Sequence, residues 1–502
     1  MNLTSFYKTA LMIGTAAVVM ACSDKSENQK STDVVKVATN QKIKTRPYKM
    51  ISYDTAGQTD ADHLYLEEVL GEPALKQVKT WNARSLDELK ADPRYQTYYA
   101  NALEILQSKD KIPYVSYRNG EVHNFWQDET HVRGVWRKST LDSYLSETTE
   151  WETILDFDKL SADEGKNWVY KGNTCLAPDY EKCIVNLSDG GKDAVVRREF
   201  NTKTKQFIED GFVTTESKGT ISWVDGDTVV VGIDFGLQDY DDEKGVSSLT
   251  DSGYPREARL WKRGTKIEDA QRLGFGQASD VGYWAGTLDV ADGRREIVVS
   301  RSLDFYNSEV YHFPRDEDGS IKAARKFPIP TKSNLGSEFK GQILLALNED
   351  WRRFKSGDLV SFDFEDFNSD GKISKVNLIY SPDEKSSMNG YGATKSKILL
   401  ATSTDVKGSV HEFDWDGKNW TSQPLDFPAN GAVNVGATND KEDVAFISSE
   451  SFLTPDTLWT YNTKSGEKAK AKSLPDWFDA SNMVSEQFFA TSTDGTQVPY
   501  FV

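Results

Sequence analysis

Cysteine is almost absent from this chain, with three residues in 502. So few thiols cannot build paired CxxC zinc knuckles or a disulfide-dense scaffold. Histidine is scarce too, at five residues, and no HExxH string occurs, so zinc hydrolysis of that type is unsupported. The GxSxG elbow that exposes a nucleophilic serine is missing, as is the related GGSxGG string. A basic excess is also lacking: 60 Lys+Arg stand against 78 Asp+Glu, for a formal net charge of −18. Phosphate binding needs the opposite balance, which argues against nucleic acid as a partner.

Aromatic residues are plentiful, with 13 Trp, 21 Tyr and 24 Phe. That bias favours β architecture. The 38% hydrophobic content is enough for a sizeable core, in one very large domain or two to three ordinary ones.

The first residues read as a targeting segment. Lys8 supplies a positive start and Thr9–Met20 a short apolar run, too short to span a bilayer. Val19-Met20-Ala21-Cys22 resembles a bacterial lipobox, although Met20 departs from the usual small residue. The expectation is a leader over 1–21, lipidation of Cys22, and a polar tether over 22–61. An ordinary signal peptide with a coincidental cysteine is the alternative. Ser23 after the cysteine fits an outer-membrane destination. The expected location is the periplasm of a Gram-negative bacterium, with the membrane reached through the Cys22 anchor. In such an oxidising compartment Cys175 and Cys183 either bridge across a short loop or remain two buried thiols.

Residues 62–110 read as helical. Ser85 with Glu88 makes a capping box, and Asp92-Pro93 an N-cap followed by a first-turn proline. Leu75, Val78, Leu86 and Leu89 mark an earlier helix. Tyr95, Tyr98, Tyr99, Ala102, Leu103, Ile105 and Leu106 mark a later one. From about Ile112 the apolar period changes from 3.6 to 2. Strands such as Glu296–Ser300, Lys372–Tyr380 and Val410–Asp414 alternate with Asp-Gly turns at Asp318, Asp370 and Asp416. So much antiparallel β exceeds one sandwich, and radial repetition of four-stranded sheets is the economical solution. At about 50 residues per blade, residues 111–485 make about seven blades.

Several segments then carry a family resemblance. The string YLEEVLGEPALKQVKTWNARSLDEL resembles the opening of prolyl oligopeptidases, with a Leu-Glu-x-Val-x-Gly element leading to a helix that ends near Asn82. Lys111–Leu141, Glu150–Gly172, Asn186–Phe207, Ser451–Glu467 and the closing EQFFATSTDGTQVPYFV match in the same order. The resemblance implies a mainly β fold, a seven-bladed β-propeller preceded by a helical segment that packs on an α/β-hydrolase domain. Only the first strand of that domain is expected here, within 486–502, and the serine, aspartate and histidine triad would follow Val502. Thr491–Val502 reads as a turn and a buried strand with no sequence left to pair with. The resemblance further implies a serine endopeptidase whose propeller admits short peptides. The 502 residues alone are expected to be inactive, with no catalytic residue among them and no cofactor.

Other candidates are weaker. Asp366, Asn368 and Asp370, with Gly371, match the start of a calcium loop. Asn377 stands where the bidentate Glu belongs, and a hairpin turn rich in Asx residues is the simpler reading. His63, His123, His131, His312 and His411 lack the context of a triad. Trp415 and Trp420 suit a hairpin pair better than a carbohydrate platform. The acidic stretch Asp239–Glu243 reads as a solvated loop. Two rival functions remain, a non-catalytic periplasmic propeller lipoprotein that binds peptides or proteins, and a calcium-dependent adhesion module.

Overall fold

The computed structural model describes residues 59–502, apart from positions 69, 242, 429 and 477. The leader, Cys22 and the tether up to residue 58 lie outside the described residues. The chain divides into a helical unit that ends at Leu106 and a larger unit that runs from Gln107 to Val502.

In the helical unit, Gly71 precedes a helix over Glu72–Lys90 with a proline in its first turn. The expected capping box at Ser85 is not used, because the helix runs straight through it. Leu86, Glu88 and Leu89 are good helix formers, and a mid-helix serine costs only tenths of a kcal/mol. The helix likewise passes Asn82 without ending. Asp92 breaks the run, accepting from the Arg94 amide at 2.9 Å. A second helix follows over Tyr95–Gln107. Of the residues in these two helices only Ala74 is buried.

Among the described residues the larger unit holds seven four-stranded antiparallel sheets, each from one continuous segment. They are blade 1 (116–156), blade 2 (168–207), blade 3 (220–275), blade 4 (282–326), blade 5 (333–380), blade 6 (386–425) and blade 7 (431–473). Central strands such as Thr228–Gly232 and Gln342–Leu347 are buried at nearly every position, so these sheets pack both faces against their neighbours. One core cluster joins Leu288, Val298 and Val310 of blade 4 to Leu335, Ile343 and Phe362 of blade 5. Another joins Leu399 and Val410 of blade 6 to Val433 and Ile447 of blade 7. The ring closes through Val122 and Tyr144 of blade 1 against Phe446 and Leu458 of blade 7. Among the described residues no strand is shared across that seam.

First strands lie innermost. The Trp223 indole, on the first strand of blade 3, donates to the Thr174 carbonyl on the first strand of blade 2 at 2.9 Å. Thr220 in turn donates to the Ala285 carbonyl on the first strand of blade 4 at 2.8 Å. This order gives the ring two distinct faces. Hairpins between first and second strands, and between third and fourth, lie on one face, termed distal here. Turns between second and third strands, and the links between blades, lie on the opposite, proximal face, where the chain also enters and leaves the ring.

Three further expectations need correction. The Asp366–Asp370 stretch is not a hairpin turn but part of a short helix over Phe364–Asp370, N-capped by Asp363 and ended by Gly371 at φ 77°. Phe364 and Phe367 are buried at helical spacing, which overrides the turn chemistry of the Asx residues. The strand expected at Lys372–Tyr380 is accordingly shortened to Asn377–Tyr380. The closing strand Gln497–Phe501 also has a partner: it pairs antiparallel with Gln487–Thr491 around the Asp494-Gly495 turn. None of that hairpin's residues is buried.

Candidate functional site

The proximal face carries most of the propeller's exposed large apolar side chains, Leu378 on the outer strand of blade 5 being an exception. Val132 lies in the second-to-third turn of blade 1, Leu237 in that of blade 3, Val406 in that of blade 6 and Phe452 in that of blade 7. The turn of blade 4 presents Phe305 at 86% and Tyr306 at 80% exposure. Asp304 holds that turn open by accepting from the amides of Tyr306 at 2.7 Å and Asn307 at 2.8 Å. No large apolar residue of a distal hairpin is exposed among the described residues.

A cavity of about 410 Å³ opens on the same face, between blade 7 and the C-terminal hairpin. Phe452, Leu453, Phe478 and Phe501 supply its apolar wall, and Glu450 and Asp456 its acidic rim. A hydrogen bond to Asp456 and burial together raise the Glu450 carboxyl above its usual range.

Blade 3 adds an arm to this face. A two-stranded ribbon, Leu237–Gln238 with Val246–Ser247, is inserted between its second and third strands. Buried charges clamp the arm. Arg256 donates to Glu243 at 2.7 Å and Arg259 to Gln238 at 2.7 Å. The Tyr240 ring sits between the guanidiniums of Arg256 and Arg272, at 4.4 and 5.0 Å. The acidic stretch Asp239–Glu243 is thus part of a fixed arm; Asp242 lies outside the described residues.

On the distal face the inner hairpins converge on the axis. The Cys175–Cys183 segment belongs to blade 2, and its two cysteines are cross-strand partners with sulfurs at bonding distance. Tyr180 in the intervening loop meets Asn439 of blade 7, whose Nδ2 donates to the phenol at 3.1 Å. Burial pushes the Tyr180 phenol up. Arg118 of blade 1 lies 5.7 Å from the Tyr180 ring and 5.7 Å from that of Trp136. Its buried Nε has no hydrogen-bond partner, and burial lowers its pKa.

The other sequence candidates sit apart from both places. Asp366 accepts from the Ser374 amide at 3.1 Å, and Asp370 pairs with Lys372 at 2.8 Å. Asn368 donates to Glu365 at 3.3 Å. These groups satisfy their own helix ends, and among the described residues no three His, Cys, Asp or Glu side chains form a metal-ligand group. Trp415 and Trp420 are a cross-strand pair within the blade 5–blade 6 core, where the Trp420 indole donates to Ser361 at 2.9 Å. His123 and His312 are buried in blades 1 and 4; His131 is bonded to Asp128 and His411 to Ser409. His63 lies in the helical unit. Sequence reasoning missed Arg118, Tyr180 and Asn439, and also Phe305 and Phe452. They come from separate hairpins, and only ring topology gathers them.

A closed ring of seven consecutive meander sheets defines a seven-bladed β-propeller. Residues 57–473 match the model of the prolyl oligopeptidase N-terminal β-propeller domain, and the chain belongs to that family. An uncharacterized peptidase of Sinorhizobium fredii is 37% identical over 445 residues, 87% of this chain and 60% of its own length. A prolyl endopeptidase of Elizabethkingia miricola is 24% identical, over 70% of this chain and 46% of its own length. The solved structure of a post-proline cleaving enzyme from Rickettsia typhi superposes with a TM-score of 0.78 at 28% identity, covering 88% of this chain and 64% of that one. The chain therefore spans less than two thirds of the length of each of these relatives.

Proposed function

We propose that these 502 residues form the propeller part of a serine endopeptidase that cleaves short peptides after proline or with a relaxed form of that preference. The hydrolase domain docks on the proximal face and supplies the nucleophile, base and oxyanion donors. The propeller covers that site and restricts what reaches it. The observation that carries this reading is the one-sided apolar exposure, with Phe305, Tyr306 and Phe452 all on the face where the chain enters and leaves the ring. The helical unit supports it as well, since a helix pair with almost nothing buried needs a further domain to pack on.

On this reading the 502 residues alone are inactive, because acyl transfer needs groups they do not contain. The test is hydrolysis of a proline-containing chromogenic peptide. A longer product that joins these 502 residues to a hydrolase domain of the family should turn it over, and the purified 502-residue chain should match a blank. Turnover by the 502-residue chain overturns the inactivity, and no turnover by the longer product overturns the peptidase reading. The proposed setting is the periplasm, with an outer-membrane anchor at Cys22. Incorporation of labelled fatty acid, lost on Cys22→Ala, checks the anchor.

A further inference from the structure

The loop between Cys175 and Cys183 rises from blade 2, whose neighbours in the ring are blades 1 and 3. Its contacts reach further than those neighbours. Tyr180 receives the Asn439 hydrogen bond from blade 7 at 3.1 Å. On the other side, Arg295 of blade 4 donates to the Ala177 carbonyl at 3.5 Å. Blades 7 and 4 are each one place beyond the neighbours of blade 2. A loop from blade 2 touches both only by lying over the axis.

The neighbours hold the same loop. Arg118 of blade 1 lies against the Tyr180 ring, and Lys182 donates to the Gly226 carbonyl of blade 3 at 3.3 Å. Thr202 of blade 2 itself donates to the Tyr180 carbonyl at 3.2 Å. Tyr180 keeps a left-handed backbone, φ 55°, which a non-glycine residue adopts at a cost of about 1–2 kcal/mol. That conformation turns its ring toward blades 1 and 7.

We propose that the Cys175–Cys183 loop caps the axial opening on the distal face and so sets the length of peptide the enzyme accepts. The inference rests on the peptidase reading above. A capped axis is a blind chamber, closed below by the loop and above by the docked domain. A short peptide fits within it. A long one has no exit for its tail and is refused on steric grounds. The cross-strand cysteines latch the loop by removing much of its freedom to swing aside.

Two measurements test this. In the 502-residue chain, Asp179→Cys at the exposed loop tip is paired with Asp440→Cys beside the axis on blade 7. Its control partner is Ser465→Cys on the outer rim of blade 7. A short bis-maleimide should join the axial pair about tenfold faster than the rim pair, since effective concentration governs the second reaction. Equal rates overturn the cap. In the longer product, Tyr180→Gly combined with Cys175→Ser and Cys183→Ser should raise kcat/KM for a thirty-residue substrate about fivefold relative to a five-residue one. An unchanged ratio overturns the length filter. A longer product that cleaves neither peptide overturns the peptidase reading and the filter with it, while the cross-link still decides whether the loop spans the axis.

Discussion

Single side chains in the blades set two measurable properties. His123 is buried in blade 1 beside Trp136, with ring centroids 6.0 Å apart. Its Nε2 lies 3.8 Å from Glu121, but Lys138 holds that carboxylate at 2.9 Å. Burial, with Arg118 and Lys138 nearby, takes the His123 pKa down to about 2. An unfolded histidine titrates at about 6.5. Below that pH the unfolded chain binds a proton that the folded chain refuses. The stabilising effect of a neutral His123 is thus complete above about pH 6.5 and falls by about 1.4 kcal/mol per pH unit below it. Urea midpoints between pH 7 and pH 5 should drop less steeply in His123→Gln than in the parent. Parallel slopes would show that His123 titrates normally.

Glu257 of blade 3 is fully buried and faces Arg259 and Arg272, with Nε to carboxylate distances of 2.7 and 2.7 Å. Glu257→Gln keeps the shape and removes the charge that both guanidiniums need. Breaking a buried pair in this way costs about 3–5 kcal/mol. The expected result is a lower urea midpoint with an unchanged m-value, together with faster proteolysis of the inserted arm at 233–256. An unaltered midpoint would mean that solvent reaches the cluster.

Among the elements, the two N-terminal helices are amphipathic without a core of their own. Leu89 and Leu106 are 59% and 71% exposed. The 502-residue chain should therefore enhance the fluorescence of an apolar-surface dye, and Leu89→Lys with Leu106→Lys should lower that signal with no change in the propeller's unfolding midpoint. Dye silence in the parent chain would favour a free-standing propeller. The apolar faces of these helices, and the period-2 strands of the blades, were legible in the sequence because each is a local pattern of side chains. Boundaries were less so. The helix over Glu72–Lys90 overrides the Ser85–Glu88 signal, since propagation through good helix formers outweighs a second start. The Asp366–Asp370 helix was hidden because Asx-rich turns and short capped helices share the same residues, and burial of Phe364 and Phe367 decides between them. The pairing of Gln487–Thr491 with Gln497–Phe501 escaped notice although the Asp-Gly turn between them was visible. Neither strand of that hairpin becomes buried, so the apolar pattern of Gln497–Phe501 misled about its surroundings.

At the scale of the whole ring, the seam between blades 1 and 7 is the place where sequence offers no guidance, because its partners lie more than three hundred residues apart. Among the described residues the ring closes there without strand pairing, through contacts that each involve a side chain. Phe446 meets Tyr117 and Tyr144 at 6.3 and 6.0 Å between centroids. Around this apolar contact, the Asn119 amide donates to Glu442 at 2.7 Å, Asn439 to the Tyr117 carbonyl at 3.1 Å, and Lys472 to the Ser146 carbonyl at 2.9 Å. All other blade junctions join consecutive stretches of chain, so opening them leaves a covalent tether of five to twelve residues. Opening the seam frees two ends of a long arc, and the entropy gained favours it as the first junction to part. The first strand of blade 1, Ser116–Arg118, pairs only along one edge and is the shortest of the inner strands. Its amides and those of Gly431–Val435 in blade 7 should exchange with deuterium before the inner strands of blades 3 to 5. Phe446→Ala removes the ring that both blade 1 aromatics touch. A cavity of that kind costs about 3–5 kcal/mol, and exchange at the seam should rise by orders of magnitude while blade 4 changes little. Uniform acceleration around the ring would instead mean that the propeller opens as one cooperative unit and that the seam has no special weakness.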